Sequence, residues 1–224
     1  MVLMVLLLPA LALGETMDDL VKRDGLFYKK FTVVPFTGNI TGRTQGTIRD
    51  GKEEGSWVRY YINGQLWTKK IYKDGKLDGP WGMYWTTGKV MDKGTYKDGK
   101  NEGLWISYHE DGQVWKKGNY KDGKKDGPWV QYHENGRLSK KEIYKDGKRD
   151  GPWVGYHDNG QLASKGTFKN EKMDGPWVTY WNTGELSSKG TYKDDKFDGP
   201  WVYYWKYGQL WKKETYKDGK LVEQ

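Results

Sequence analysis

Aromatic and glycine positions recur along this chain with one long, fixed period. Trp57, Trp81, Trp105, Trp129, Trp153, Trp177 and Trp201 stand 24 residues apart without an insertion. Tyr60, Tyr84, Tyr108, Tyr132, Tyr156, Tyr180 and Tyr204 follow in step, as do two glycine sets, Gly55 to Gly199 and Gly64 to Gly208. Within each unit, short runs rich in Trp, Val, Tyr and Thr are bounded by turn dipeptides, which is the composition of strands. Gly or Pro interrupts every longer stretch, so no window carries a helical pattern. The pattern predicts two strands per unit.

The unit reads Y-K-D-G-K-x-D-G-P-W-V-x-Y-x-x-N-G-Q-L-x-x-K-G-T. It carries an Asn-Gly pair or a relative, as at Asn63-Gly64, and an Asp-Gly pair, as at Asp74-Gly75. Both favour two-residue type I′ hairpin turns, which need positive φ at both central residues. Linking every hairpin to the next through Asp-Gly predicts an all-β, single-layer antiparallel meander. Equivalent residues then repeat every two strands, or ~9.6 Å. Alternation sends Trp105, Ser107 and His109 to one face and Ile106 and Tyr108 to the other. A two-residue turn at Asp111-Gly112 puts Trp105 opposite Gly118, where the absence of a side chain leaves room for the indole. The same count pairs Trp81 with Gly94 and Trp177 with Gly190 but sets Trp57 against Lys70. Five units have Gly-Pro before the tryptophan, which marks a strand start or a bend, because proline removes a ladder donor.

The period divides the chain. Residues 50–217 hold seven tandem repeats. Residues 15–49 keep the register faintly, through Val33, Phe36, Gly46 and Ile48, and read as a diverged N-terminal cap of the kind that repeat arrays need. Residues 218–224 form a short tail. Residues 1–14, MVLMVLLLPALALG, are apolar, uncharged and too short to span a bilayer comfortably. They read as the apolar core of a signal peptide, with small residues at fitting cleavage positions (Ala10, Ala12, Gly14) and without a basic leader. The alternative is a buried N-terminal helix or strand. Export to the outside or the cell envelope is the expectation.

Composition changes the picture in two ways. Low mean hydropathy, -0.97, and 30% charged residues alone suggest disorder, but 13 Trp and 17 Tyr argue against it. Each ring removes roughly 150–250 Å² from water, enough for a thin aromatic layer. The net charge of +8 points to an anionic partner as one option. With no cysteine there are no disulfides or thiolate metal sites.

The stretch Gly94-Thr95-Tyr96-Lys97-Asp98-Gly99-Lys100-Asn101-Glu102-Gly103, continuing to Gly112, resembles the MORN repeat. A period of 24 residues, and Trp105 where MORN units usually have a second glycine, resemble the MORN-variant repeat of bacterial proteins grouped as the YwqK-type antitoxin family. The segment from Asp24-Gly25-Leu26-Phe27-Tyr28-Lys29-Lys30-Phe31 through Val34-Pro35-Phe36-Thr37-Gly38 looks like the leader found before repeats in that family. The resemblance spans about residues 24–220. It implies a ribbon of β-hairpins with a binding role and an antitoxin-like function.

Dedicated chemistry is sparse. His109, His133 and His157 occupy one register, and sites ~9.6 Å apart cannot share a metal whose bonds to nitrogen are about 2.1 Å. The recurring Asp-x-Lys-x-Asp-Gly places Lys where a calcium loop needs an oxygen ligand. No catalytic triad, phosphate loop or asymmetric carboxylate pair is visible. We therefore expect no catalytic residues, cofactor, metal or small-molecule substrate, and no nucleic-acid partner.

The candidate binding residues fall in two sets. One is the tryptophans that vary between repeats: Trp67, Trp85, Trp115, Trp181, Trp205 and Trp211. The other is the ladder Lys69, Lys93, Lys117, Lys141, Lys165, Lys189 and Lys213, alongside two further lysine series that start at Lys52 and Lys73. The expected function is a non-enzymatic, exported scaffold binding a protein partner. The alternative is attachment to an anionic membrane or cell-wall glycan surface.

Overall fold

A computed structural model describes residues 14–222. The seven repeats form one antiparallel sheet in which strand order follows the chain. The described pairings run from Gly38–Ile40 to Lys220–Leu221 and none joins these two ends, so the sheet is open. Each repeat contributes a tryptophan strand, such as Lys100–Tyr108, and a lysine strand, such as Val114–Lys121. In three repeats the tryptophan strand is split, as in Lys76–Leu77 followed by Gly79–Tyr84.

The two turns of the unit differ. Asp74 and Gly75 have φ of 50° and 78° and connect the paired Lys73 and Lys76, the predicted two-residue type I′ turn. The Asn-Gly turn corrects the expectation. Tyr61 N–H donates to the Gln65 carbonyl and Gly64 N–H to the Tyr61 carbonyl, which closes a three-residue loop with only Gly64 at positive φ. A longer loop should shift the register by one. It does not, because a bulge follows at once: Tyr108 pairs with Val114 and Ser107 with Lys116, which leaves Trp115 as the extra residue. Loop and bulge cancel, and Trp105 still pairs with Gly118, Trp81 with Gly94, Trp177 with Gly190 and Trp57 with Lys70.

A second bulge explains the Gly-Pro pairs. Glu102 pairs with Thr95 but Ile106 with Lys93, so the tryptophan strand carries two more residues than its partner there. Gly103, φ 68°, turns the chain through this bulge. Proline is tolerated at this site even where the strand runs through it, as Pro128 does within Lys124–Tyr132.

The N-terminal segment folds onto the first repeat. A hairpin of Leu20–Arg23 and Leu26–Lys29 follows a single 3₁₀ turn, Met17–Asp19. Leu20, Phe27, Ile40, Ile48 and Trp57 form a buried cluster, with Ile48 wholly inaccessible. Phe27 N–H donates to the Gly51 carbonyl at 2.7 Å, and Gly51 N–H to that of Phe36 at 2.8 Å. These bonds fasten the segment to the first Asp-Gly turn. The apolar run 1–14 lies, but for Gly14, outside the described residues.

Candidate functional site

Directly paired residues share a face. One face therefore carries the periodic tryptophans, the glycines opposite them and the tyrosines of the lysine strands, as in Gly103–Tyr120 and Trp105–Gly118. On it the rings interlock edge to face. Tyr96 meets Trp105 at 5.3 Å, Tyr120 meets both Trp105 (5.6 Å) and Trp129 (5.1 Å), and Tyr192 meets Trp177 and Trp201 at 5.8 and 5.1 Å.

The glycine does make room for an indole, but for a different one than its hairpin partner. A Cβ on Gly94 would overlap the ring of Trp105, one on Gly118 that of Trp129, and one on Gly190 that of Trp201. Each indole lies back over the preceding lysine strand. Trp57 rests on Gly46 in this way, so its pairing with Lys70 is no exception. The pose also lets the indole N–H donate to a carbonyl of that strand: Trp105 to Thr95, Trp129 to Asn119 and Trp201 to Thr191, at 3.1–3.3 Å.

The rule breaks where the glycine is absent. Lys70 precedes Trp81 and Glu142 precedes Trp153. Both indoles turn the other way and stack on the next repeat, Trp81 on Trp105 at 5.1 Å and Trp153 on Trp177 at 5.3 Å. Among the described residues no ring contact bridges Tyr72 to Trp81 or Tyr144 to Trp153, so the aromatic row is cut at two places 72 residues apart. At the second cut Glu142 is buried. It accepts from the Tyr144 hydroxyl (3.2 Å) and pairs with Lys140 (3.2 Å). Lys125 sits 4.5 Å from the ring centres of both Trp129 and Tyr144. Burial pulls the Lys125 ammonium below its ordinary range. Burial, then the Glu142 charge and hydrogen bond, push the Tyr144 phenol up to about 12. Burial also raises Tyr72, Tyr96, Tyr120 and Tyr192.

The two edges of the ribbon are stitched from repeat to repeat. Along the Asp-Gly edge the second turn residue donates to the previous repeat, as from Gly75 N–H to Glu53 and from Gly123 N–H to Asn101, both at 2.9 Å. Glu171 and Asp195 occupy this glycine position at positive φ, and their carboxylates reach back to Arg149 and to Met173 N–H. Burial favours the neutral Glu171 carboxyl, but the hydrogen bonds from Arg149 outweigh it and hold the group below the usual range.

Along the other edge, one aromatic position donates to the next repeat. Tyr61 donates to the Tyr84 carbonyl (2.8 Å), His133 Nε2 to that of Tyr156 (3.0 Å), His157 Nε2 to that of Tyr180 (3.0 Å) and Trp181 to that of Tyr204 (3.3 Å). Asn135 and Asn159 do the same with their side-chain amides. Among the described residues no three His, Asp or Glu side chains gather to hold a metal ion.

The variable tryptophans therefore divide. Trp85 and Trp181 belong to the donor row that the histidines share; Trp85 Nε1 and His109 Nε2 are buried without a partner. Trp67, Trp115 and Trp211 are the bulge residues of their lysine strands. Trp67 stacks on Tyr61 at 5.6 Å, and Trp115 lies 6.2 Å from His109. The six do not form one patch. Only Trp205 and Trp211 adjoin each other, at 5.0 Å, both half exposed, with exposed Tyr207 and Leu210 nearby. The donor row and the bulge were not foreseen from the sequence. Their one visible sign was that Tyr, Trp and His, all ring donors, alternate at a single register.

The lysine ladder lies on the opposite face, each member paired with a small or apolar residue: Lys69 with Val58, Lys93 with Gly82, Lys117 with Ile106, Lys141 with Val130, Lys165 with Val154, Lys189 with Val178 and Lys213 with Val202. All are exposed except Lys117, which is half-buried. Lys93 and Lys117 lie over Tyr108 and Tyr132.

A meander of 24-residue hairpins with a glycine under five of its seven periodic indoles defines a class of tandem β-repeat scaffold. The chain belongs to the MORN repeat variant family, whose pattern matches residues 53–74, 77–98, 101–122, 125–146, 149–170, 173–194 and 197–218. Repeats of this kind are commonly non-enzymatic binding or scaffold modules. No curated protein matches the chain.

Proposed function

We propose that this chain is an exported, non-enzymatic scaffold that binds a protein partner through the last repeat. The observation that carries this reading is the exposed cluster of Trp205, Tyr207, Leu210 and Trp211. Large aromatics exposed together favour protein contact. The cluster stands beside the strand Leu210–Lys217, whose outer side is paired, among the described residues, only from Thr215 to Lys217. An extended segment of a partner can add there by strand pairing while the rings supply pockets. Capture with the full chain, compared with a Trp205→Ala/Trp211→Ala variant, tests it. A specific protein should be retained by the first and lost by the second. Equal retention, or recovery of nothing specific, sinks the proposal.

In the antitoxin-like version of this reading the partner is a toxin, and the captured protein would inhibit growth when produced alone. Export rests on the apolar run 1–14. N-terminal sequencing of protein collected outside the cytoplasm should begin just after Ala12 or Gly14.

The lysine face supports a second reading, attachment to an anionic surface. Binding to vesicles containing anionic lipid, or to acidic cell-wall glycan, should then weaken steeply with salt. Salt-independent binding would exclude it.

A further inference from the structure

The tryptophan face, the lysine ladder and the two stitched edges all recur with the repeat. The junction between the N-terminal segment and the first repeat does not recur, and it holds a cleft of about 460 Å³ that adjoins a second of about 320 Å³. Thr16, Met17, Arg43 and Thr44 wall it from the N-terminal side, and Arg59, Tyr61 and Trp67 from the first repeat. Arg59 lies in the lining of both clefts, with Lys70 in the second.

The repeat places no other arginine at the register of Arg59; the equivalent positions hold Met83, Ser107, Gln131, Gly155, Thr179 and Tyr203. The Arg59 guanidinium lies over Trp67, 4.5 Å from the ring centre. Trp67 is itself held against Tyr61, whose hydroxyl is tied to the Tyr84 carbonyl. Stacking fixes the plane of the guanidinium and leaves its N–H edge free. Among the described residues no carboxylate pairs with Arg59, Arg43 or Lys70. Asp18 and Glu53 also line the clefts, so three cations face two carboxylates.

A planar fork held on an aromatic shelf, with unused donors and two further cations nearby, is suited to bidentate capture of an oxyanion. We infer that this cleft binds a small molecule bearing a carboxylate or phosphate group. Arg59 grips the oxyanion, Trp67 and Tyr61 support it, Arg43 and Lys70 add charge, and Thr44 offers a hydroxyl donor. The site is independent of the partner surface on the last repeat.

Titration of the full chain with inorganic phosphate and, separately, citrate tests this by calorimetry and tryptophan fluorescence. One or both should bind with a single saturable site, and whichever binds tells phosphate from carboxylate. Arg59→Gln should weaken binding about tenfold or more, the scale of a charge-assisted hydrogen-bond pair. Arg59 is exposed, so the fold should survive, and unchanged circular dichroism will verify this. Arg137→Gln, at an exposed turn of a distant repeat, should leave binding unchanged. Absence of binding by both anions, or equal weakening by Arg59→Gln and Arg137→Gln, overturns the proposal.

Discussion

A single missing Cβ decides where each indole of this protein lies. With glycine at position 118 the Trp129 ring settles back over the preceding strand, is buried, and donates to Asn119. Gly118→Ala forces the ring to move or the strands to part and should cost about 1–3 kcal/mol, the usual range for overpacking. Urea unfolding of the variant checks this. A charged residue in place of glycine, at Lys70 and Glu142, shows the natural response, an indole that turns to the next repeat. The sequence made the tryptophan–glycine pairing legible, because it follows from counting across a turn. It could not tell which of the two tryptophans flanking each glycine lies on it, since both are one strand away and only the twist and rotamer choose.

At the scale of the element, hairpins read well from the sequence and their loops less so. Asp-Gly gave the type I′ turn expected of it. Asn-Gly gave a three-residue loop, because Asn63 and its equivalents adopt negative φ and only the glycine turns left-handed. The register survived through a bulge that nothing in the local composition announces, since Trp67, Met91, Trp115 and Ser139 all occupy that position. The histidines were legible as equivalent, yet their donor role appears only when the next repeat is set beside them. His157→Phe keeps the ring, removes the N–H that serves the Tyr180 carbonyl, and should lower stability by about 1 kcal/mol. His157→Tyr, the residue type found at position 61, should restore most of it. Thermal melting of the two variants separates a hydrogen-bonding role from a packing one.

Across the whole molecule, the aromatic row couples stability to alkaline pH. Phenols raised by burial favour the folded state while protonated. Their contribution is complete below the unfolded value of about 10 and is lost as pH rises through the folded values, about 12 at Tyr144. Denaturant midpoints should therefore hold steady to pH 9 and fall from pH 10 to 12. A flat profile over that window would contradict the buried placement of the tyrosines. The seven tandem repeats were plain from their period. The N-terminal cleft was not, because it depends on a diverged segment meeting a register that carries arginine once.

The two cuts in the aromatic row have a mechanical consequence. Backbone pairing continues through Lys70 and Glu142, but ring-to-ring contact does not, so the ribbon behaves as stiff rods joined by two compliant joints. Torsion or tension applied along it concentrates at those joints, and thermal opening begins there. Amide exchange should be faster across residues 70–82 and 142–154 than across 94–106 and 166–178. Lys70→Gly gives the Trp81 indole its bed, closes the first joint and should slow exchange locally. Uniform exchange along all seven repeats would mean that the backbone ladder alone sets the stiffness.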